Sequence, residues 1–388
     1  MNRLKIRYLL LHAYGMGGTI RTVITQANAM AAAGHDVELV SVVRRRERPQ
    51  FAIDERVRLW ALVDQRAGVQ EPTLAARVAR RLRGGAVPRG EFAARYFTPA
   101  VERATASWIA GLDDGVLVTT RPGLNLLSAR YANRDVVRVA QEHMNLSTHR
   151  PAVRAAVLRF YDRFDAVVVL TEGDRKEYQE AIPGARVERV PNSVHSLDQP
   201  HSDHTGKIVL AAGRLYPQKG FDMLLPAWEE VVREHPDWQL RIFGTGPKKD
   251  RLRAQIERLR LYNNAFLMGR TEHFHDELTR ASVFVLSSRF EGLPMVMIEA
   301  MSHALPIVSF DCPTGPADVI THGKEGLLVP PKDVQGLAEA LKTVIADHGL
   351  RERMGARAAK TVTTYAPASV MPRWEALFSE LSAARTRR

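Results

Sequence analysis

The chain has 388 residues, of which 45% are hydrophobic and 25% are charged, a composition typical of a soluble globular protein with two or three domains. No apolar run reaches the length that a bilayer-spanning helix needs. The single cysteine, Cys312, excludes an internal disulfide, which is compatible with a reducing cytoplasm.

The net charge of +12 is unevenly distributed. Residues 1–200 hold 30 of the 55 Lys and Arg residues and 21 of the 43 Asp and Glu residues, or +9, against +3 for the remainder. Such a field favours an anionic acceptor or a membrane surface as partner, although it also serves solubility alone. The positive charges lack the interleaved aromatic residues of a stacking platform, so no nucleic-acid partner is expected.

The first elements predict an α/β unit with a parallel sheet. In chain order they are a strand at residues 6–11, a helix at 19–33 and a strand at 37–43. His12 interrupts the first apolar segment, which favours a buried strand over a secretory signal. Gly17 and Gly18 let another group approach the backbone closely. Their spacing in GMGGT is not GxGxxG, so no nicotinamide or flavin site is predicted.

A basic amphipathic stretch opens the region 74–103. Its apolar and basic positions are Leu74, Val78 and Leu82, and Arg77, Arg80, Arg81 and Arg83. Such a segment can lie on an anionic membrane, or it can be a solvated helix.

Two further strands, at 116–119 and 136–140, lead to Arg121 and to His143. Open parallel sheets bind ligands at the carboxyl ends of their strands, so both residues are candidates for ligand contact, with a structural role for His143 as the alternative. The polar, aperiodic residues 196–206 predict an interdomain linker. We interpret His195, His201 and His204 as surface residues rather than as a metal site, because their spacing is irregular.

The α/β pattern starts again at residues 208–212. Arg214 and Lys219 follow this strand end, with Gly213 beside the arginine, and two cations at this spacing suit a doubly charged phosphate. A strand at 239–243 ends in Gly244 and Gly246, which form a second loop of close approach.

Residues 282–305 predict a strand, a tight loop and a helix. Pro294 suits the first helical turn, so the amides from Gly292 to Val296 should form an anion seat. Two carboxylates, Glu291 and Glu299, bracket this seat. Because like charges repel, they suit the hydroxyls beside a phosphate rather than the phosphate itself. A sugar nucleotide has both parts.

The sequence RFEGLPMVMIEAM, with GRL followed by QKG upstream, resembles the donor-site signature of the retaining family-4 glycosyltransferases. The resemblance covers most of the second half and, more weakly, the first. It implies the GT-B fold, with two Rossmann-like α/β domains that face each other across a cleft. We expect domains at 1–195 and 207–370, joined by the linker 196–206, with a helix at 371–388 that packs back on the first domain.

The resemblance also implies roles for individual residues. Arg214 and Lys219 would neutralise the donor diphosphate, Glu291 would orient the hexose, and His143 would lie beside it. Thr19 and Arg121 are expected on the acceptor side. The implied donor-binding residues are Gly17, Gly18, Gly213, Gly244, Gly246, Met268, Gly292, Leu293, Pro294, Met295, Val296 and Glu299.

The expected reaction is transfer of a hexose or N-acetylhexosamine, with a UDP-sugar as the favoured donor. The acceptor would be an envelope polysaccharide, a teichoic acid or a lipid-linked glycan, and the enzyme cytoplasmic or peripheral on the membrane. No Asp-x-Asp occurs, so neither metal nor cofactor is expected. A sugar-nucleotide epimerase, a sugar phosphorylase and a non-catalytic sugar-nucleotide-binding protein are the alternatives.

Overall fold

The computed structural model describes residues 3–68, 85–194 and 197–387. The chain divides into two compact units: unit 1, residues 1–193 and 370–388, and unit 2, residues 194–369. Residues 74–84 of the predicted basic segment, and His195, lie outside the described residues.

The described part of unit 1 contains a seven-stranded sheet in which every pairing is parallel. Its strands are β1 (Lys5–Leu10), β2 (Asp36–Arg44), β3 (Arg58–Asp64), β4 (Val116–Thr119), β5 (Val137–Gln141), β6 (Ala166–Val169) and β7 (Val187–Arg189), and they lie in the order β3-β2-β1-β4-β5-β6-β7. The helices among them are α1 (Gly18–Ala32), α2 (Pro99–Ala110), α3 (Pro122–Tyr131), α4 (Pro151–Phe160) and α5 (Glu172–Ala181). β4 and β6, with the sequences VLVT and AVVV, are buried throughout, as expected for strands that helices cover on both faces.

Unit 2 contains a six-stranded parallel sheet. Its strands are β8 (Ile208–Ala212), β9 (Gln239–Phe243), β10 (Ala265–Gly269), β11 (Val283–Leu286), β12 (Ile307–Phe310) and β13 (Gly326–Val329), in the order β10-β9-β8-β11-β12-β13. Its helices are α6 (Phe221–Glu234), α7 (Lys249–Arg258), α8 (Phe274–Arg280), α9 (Met295–Ser302), α10 (Pro316–Val319), α11 (Val334–Ala346) and α12 (His348–Thr361).

After unit 2 the chain returns to unit 1 as helix α13 (Pro367–Thr386). Trp374 and Phe378 on this helix are fully buried in the same cluster as Ile6 of β1. A hydrogen bond of 3.3 Å joins His35 Nε2 and the Glu375 carboxylate. The last helix is therefore part of the hydrophobic core of unit 1.

Each sheet has a point where the strand order reverses, between β1 and β4 in unit 1 and between β8 and β11 in unit 2. Loops that leave neighbouring strands there diverge and form a crevice at the carboxyl edge, where open α/β sheets bind ligands. The expected fold class, with two parallel-sheet α/β domains and a helical C-terminal end, is confirmed. No helix among the described residues combines the length and apolar character that a membrane span requires.

The second half of the predicted linker packs against unit 2. Ser202 and His204 are 7% and 5% exposed, and the Ser202 amide donates to the His303 carbonyl at 2.9 Å. The prediction that His204 is a surface residue is wrong, because its ring lies against Gly355, where an added Cβ would come within 2.9 Å of it.

Candidate active site

The loops that follow β8 and β9 are in direct backbone contact. The Gly213 amide donates to the Phe243 carbonyl at 2.9 Å. A Cβ on Gly244, whose φ is +138°, would lie 1.9 Å from the Gly213 carbonyl oxygen, and one on Gly246 would lie 2.6 Å from that of Leu215. Glycine is required at these positions because only a residue without a side chain permits this approach.

The turn Pro217–Lys219 is held against the end of β11. Gly220, with φ +65°, follows this turn, and a Cβ there would lie 1.9 Å from the Ser287 carbonyl oxygen. The Ser287 hydroxyl donates to the Lys219 carbonyl at 2.9 Å. This packing brings the loops after β8 and β11 together at the point where the strand order of unit 2 reverses.

Lys219 and Glu291 form an ion pair at this point. Lys219 Nζ donates to Glu291 Oε1 at 2.6 Å, and the side chains are only 15% and 7% exposed. The Ser288 hydroxyl donates to the same carboxylate oxygen at 2.5 Å. The pair is thus partly desolvated and fixed by a third group, which makes its electrostatic field stronger than that of a surface pair.

The loop after Glu291 is braced by the loop after β12. The Glu291 amide donates to the Pro313 carbonyl at 3.0 Å, and the Thr314 amide donates to the Glu291 carbonyl at 3.2 Å. The amides of Gly292 and Leu293 have no acceptor among the described residues. Two free amides therefore lie next in the chain to the buried carboxylate, as an anion-binding loop requires.

The anion seat in the structure is smaller than the one predicted from the sequence. Helix α9 begins at Met295, so Pro294 precedes the helix instead of lying in its first turn. The Met295 amide donates to the Leu293 carbonyl at 2.9 Å, so it is already satisfied. Val296 and Glu299, on the first and second turns of α9, are half-buried.

The contacts described for several of the predicted site residues do not include the Lys219–Glu291 pair. Arg214 is exposed, and its guanidinium lies over the Tyr216 ring at 5.3 Å. Met268 is 42% exposed at the end of β10. In unit 1, α1 begins at Gly18 and Gly17 precedes it, and a Cβ on Gly18 would meet nothing within 4 Å.

Unit 1 has a pocket of about 270 Å³ at the carboxyl edge of its sheet. It is lined by residues that follow β1, β2, β4 and β5 and by the first turns of three helices. Thr19, Arg121 and His143, all predicted from the sequence, line it together. The structure thus gathers these three residues in one cavity.

Arg121 and His143 have opposite electrostatic roles in this pocket. Arg121 pairs with the buried Glu91 carboxylate, Nη2 to Oε1, at 2.7 Å. Burial, together with the positive charge of Arg121, lowers the pKa of His143 to about 4. His143 is therefore a neutral imidazole at neutral pH, and its Nε2 is buried without a hydrogen-bond partner in the structure.

Glu142 is a pocket residue that the sequence reasoning did not single out. It is 1% exposed, and its Oε1 accepts hydrogen bonds from the Tyr161 hydroxyl and from Asn125 Nδ2, the latter at 2.7 Å. Its Oε2 is buried and has no partner in the structure. Burial raises the pKa of Glu142 to about 7. Its position directly after β5 and beside His143 was the signal that could have identified it.

Arginine side chains stacked on aromatic rings lie at the rim of the pocket. Arg45 lies over Tyr96 at 5.1 Å, and Arg150 lies over Phe92 at 6.0 Å. Both arginines are exposed. Burial and the nearby arginine charges, of which Arg45 is the larger, lower the pKa of His12 despite its hydrogen bond to a backbone carbonyl. The rim is therefore electropositive.

No group of three His, Cys, Asp or Glu residues that could hold a metal ion occurs in the described ranges. Cys312 is buried, and burial, reinforced by the negative charge of Glu291, raises the pKa of its thiol to about 12. It is therefore not a thiolate nucleophile.

Two family models match the chain. Glycosyltransferase Family 4 matches residues 16–196, and Glycosyl transferases group 1 matches residues 196–361. Together they cover unit 1 from its glycine-rich loop onward, and unit 2 through its last strand.

Three relatives are similar to more than half of this chain. The exopolysaccharide phosphotransferase of Streptomyces coelicolor is 36% identical over 98% of this chain, which spans only 41% of that relative. The amylovoran biosynthesis glycosyltransferase of Erwinia amylovora is 30% identical over a stretch that covers 67% of this chain and 76% of that relative. The poly(ribitol-phosphate) alpha-N-acetylglucosaminyltransferase of Staphylococcus aureus is 29% identical over a stretch that covers 56% of this chain and 44% of that relative.

A solved structure has the same fold. A TarM variant from Staphylococcus aureus, crystallised with fondaparinux, alpha-GlcNAc-glycerol and UDP, superposes with a TM-score of 0.76 at 16% identity, over 97% of this chain and all of that one. From the two family models and the relative of which it covers 76%, we conclude that the chain belongs to the family-4 glycosyltransferases of GT-B fold.

Proposed function

We propose that this chain is a retaining glycosyltransferase that moves a hexose or N-acetylhexosamine from a UDP-sugar to a hydroxyl of an anionic envelope glycan or polyol-phosphate polymer. The observation that carries this proposal is the partly buried pair of Lys219 and Glu291 beside the free amides of Gly292 and Leu293. This arrangement presents a cation, two amide donors and a carboxylate acceptor at one loop.

Each of these groups suits a different part of a sugar nucleotide. The Lys219 ammonium and the two amides would bind the diphosphate. The Glu291 carboxylate repels phosphate but accepts hydrogen bonds from sugar hydroxyls. Arg214 would contribute a second cation to the diphosphate, and Glu299 would bind the ribose hydroxyls. We therefore assign binding of the donor to unit 2.

The chemical step exchanges one bond for another at the anomeric carbon. The bond from this carbon to the diphosphate oxygen breaks, and the acceptor oxygen forms its new bond on the same face. The acceptor proton passes to the departing diphosphate, whose charge Lys219 and the amides stabilise. Glu291 would stabilise positive charge at the anomeric carbon, so no separate protein nucleophile is needed.

Unit 1 is assigned the acceptor. Its pocket has a neutral histidine, His143, and an arginine, Arg121, among its walls and electropositive side chains at its rim. The name of the Staphylococcus aureus relative, a poly(ribitol-phosphate) alpha-N-acetylglucosaminyltransferase, supports an anionic polymer, and the name of the Streptomyces coelicolor relative refers to an exopolysaccharide. The UDP in the TarM complex supports the choice of nucleotide. A lipid-linked form of such a polymer would place the enzyme in the cytoplasm, peripheral to the membrane.

We also propose that transfer requires no metal ion. Glycosyltransferases that use a metal need it to neutralise the diphosphate, and Lys219 with the loop amides supplies positive potential at that position.

The donor assignment is tested by measuring UDP release and thermal stabilisation with UDP-glucose, UDP-GlcNAc, UDP-GalNAc and GDP-mannose. We expect one UDP-sugar to be turned over and Glu291→Gln to abolish turnover, while Glu339→Gln, on the exposed face of α11, leaves it unchanged. Failure of all four donors to stabilise the protein would reject the proposal.

A further inference from the structure

The floor of the unit 1 pocket has a carboxylate oxygen that the fold leaves without a partner. Glu142 lines the pocket and is 1% exposed, and its Oε2 makes no hydrogen bond in the structure. Buried polar atoms are almost always paired, because leaving one unpaired costs free energy. An unpaired atom on a residue that lines a cavity indicates a ligand group that completes its hydrogen bonds.

The orientation of the Glu142 carboxylate is fixed by its other oxygen. Oε1 accepts from the Tyr161 hydroxyl and from Asn125 Nδ2. Tyr161 is itself fully buried, in edge contact with Phe164 at 5.4 Å. Two donors from different parts of the chain therefore fix the carboxylate through Oε1. They leave Oε2 beside His149, another residue of the pocket lining, whose Nε2 lies 3.9 Å away.

The chemistry of the two regions of the pocket differs. A carboxylate on the floor accepts a hydrogen bond from a hydroxyl and repels a phosphate or another carboxylate. Arg45 and Arg150 at the rim attract negative charge, and neither has a carboxylate partner among the described residues. The pocket is thus polarised, with a floor suited to a neutral hydroxyl and a rim suited to an anion.

We propose that Glu142 determines acceptor specificity by accepting a hydrogen bond from an acceptor hydroxyl at the floor of this pocket, while Arg45 and Arg150 bind the phosphate groups of the same acceptor. The substrate class is a polyol-phosphate or phosphoglycan segment that enters with its hydroxyl end first. This inference rests on the proposed function, because it takes the ligand of unit 1 to be the acceptor.

The ionisation of Glu142 makes acceptor binding depend on pH. The titratable and charged groups that face it are His149, whose Nε2 lies 3.9 Å from Oε2, the Arg121–Glu91 pair, and the hydroxyls of Tyr161 and Tyr178. Burial lowers the pKa of His149 to about 4 and raises that of Glu142 to about 7. At neutral pH, therefore, His149 is uncharged while Glu142 changes from acid to carboxylate.

Glu142→Gln isolates this role. The glutamine oxygen remains the acceptor for Tyr161 and Asn125, so the amide NH₂ takes the place of Oε2 and presents donors where an acceptor is needed. We expect the KM for a polyol-phosphate acceptor to rise about tenfold at pH 8, with the KM for the donor unchanged. In wild type the acceptor KM falls between pH 6 and pH 8, and in the variant it does not depend on pH in this range.

A control separates this role from a structural one. Asp174→Asn changes another buried carboxyl of unit 1, which accepts from Asn145 and lies outside the pocket lining. This variant can lower stability, but it leaves the pH dependence of the acceptor KM intact. A donor KM that rises with the acceptor KM in Glu142→Gln, or an acceptor KM equal to that of wild type, would overturn the inference.

Direct binding keeps this test independent of turnover. A synthetic ribitol-phosphate oligomer is titrated into wild type and Glu142→Gln, and UDP into both as a separate measurement. Tighter oligomer binding by wild type, with equal UDP binding, supports the inference even if no donor is turned over. An oligomer that binds both proteins equally, or neither, overturns it, while absence of UDP binding rejects the proposed function instead.

Discussion

Lys219 Nζ and Glu291 Oε1 lie 2.6 Å apart although the two residues are separated by 72 positions in the chain. A partly buried ion pair of this kind contributes little net stability, because the cost of desolvating the two charges offsets their attraction. Its position at the reversal point of the unit 2 sheet, beside two free amides, instead favours a role in binding a charged ligand.

Replacing Lys219 should abolish donor binding. Lys219→Ala removes the cation that would neutralise the diphosphate, and we expect turnover to fall by about 10²–10³-fold. The stabilisation that UDP gives in a thermal unfolding assay should be lost as well. Lys360→Ala, an exposed lysine of α12 in the same unit, is the control. Wild-type stabilisation by UDP in Lys219→Ala would contradict the assignment.

A methyl group at Gly244 should disrupt the contact between the loops after β8 and β9. Its Cβ would lie 1.9 Å from the Gly213 carbonyl oxygen, at a φ of +138°, so Gly244→Ala should cost about 1–3 kcal/mol in backbone strain, with further loss from the displaced loop. Urea unfolding measures this change. Gly349→Ala, in helix α12, would place a Cβ 3.2 Å from the flexible end of Arg353 and 3.4 Å from the Asp347 carboxylate, so this control should be neutral or slightly stabilising.

Removal of the Tyr161 hydroxyl should shift the pH dependence of acceptor binding. Its hydrogen bond lowers the pKa of Glu142, opposing the larger effect of burial. In Tyr161→Phe, the pKa of Glu142 rises, so the fall in the acceptor KM moves to higher pH. Tyr8→Phe is the matched control, because Tyr8 is a buried tyrosine of unit 1 whose hydroxyl has no partner in the structure. An unchanged midpoint in Tyr161→Phe would show that another group titrates.

Unit 2 should lose stability on acidification through His303. Burial lowers the pKa of His303 from 6.5 to about 4, so between these values the unfolded chain binds the extra proton. Its contribution to stability is therefore complete above pH 6.5 and is lost as the pH falls towards 4. We expect the melting temperature of His303→Gln to vary less than that of wild type between pH 7 and pH 4. An identical pH slope in the two proteins would contradict this prediction.

Chelation should leave the activity intact. We propose that groups of the protein neutralise the diphosphate. The rate of sugar transfer in EDTA should therefore equal the rate with added Mg²⁺ or Mn²⁺. Loss of turnover in EDTA, with recovery on adding either ion, would show that the donor site needs a metal.

The buried strands were the elements most accessible from the sequence. Runs such as VLVT and IVLAA are largely apolar because helices cover both faces, and the strands predicted at 116–119 and 208–212 coincide with β4 and β8. β3 was not predicted, because this edge strand is half-exposed and its sequence RLWALVD mixes charged and apolar residues. β7 has only three residues, too few for a periodic pattern.

The candidate site was predictable only where local sequence determines the loop. The glycines at 213, 244 and 246 and the residues Glu291 to Pro294 follow strand ends, and their positions could be inferred from strand-loop-helix patterns. The position of Glu142 after a strand end could be inferred in the same way, but its raised pKa and its unpaired oxygen could not, since they arise from burial and from contacts with Tyr161 and Asn125, which come from other parts of the chain. The pairing of Lys219 with Glu291 likewise depends on which strands are neighbours.

The most direct test of the central claim is transfer of a labelled sugar from the preferred UDP-sugar to a ribitol-phosphate or glycerol-phosphate oligomer, with the anomeric configuration of the product determined by NMR. We predict one UDP released for each α-linked sugar transferred, and no product from Glu291→Gln. A β-linked product, or transfer that persists in Glu291→Gln, would contradict a retaining enzyme whose donor is held at the Lys219–Glu291 pair.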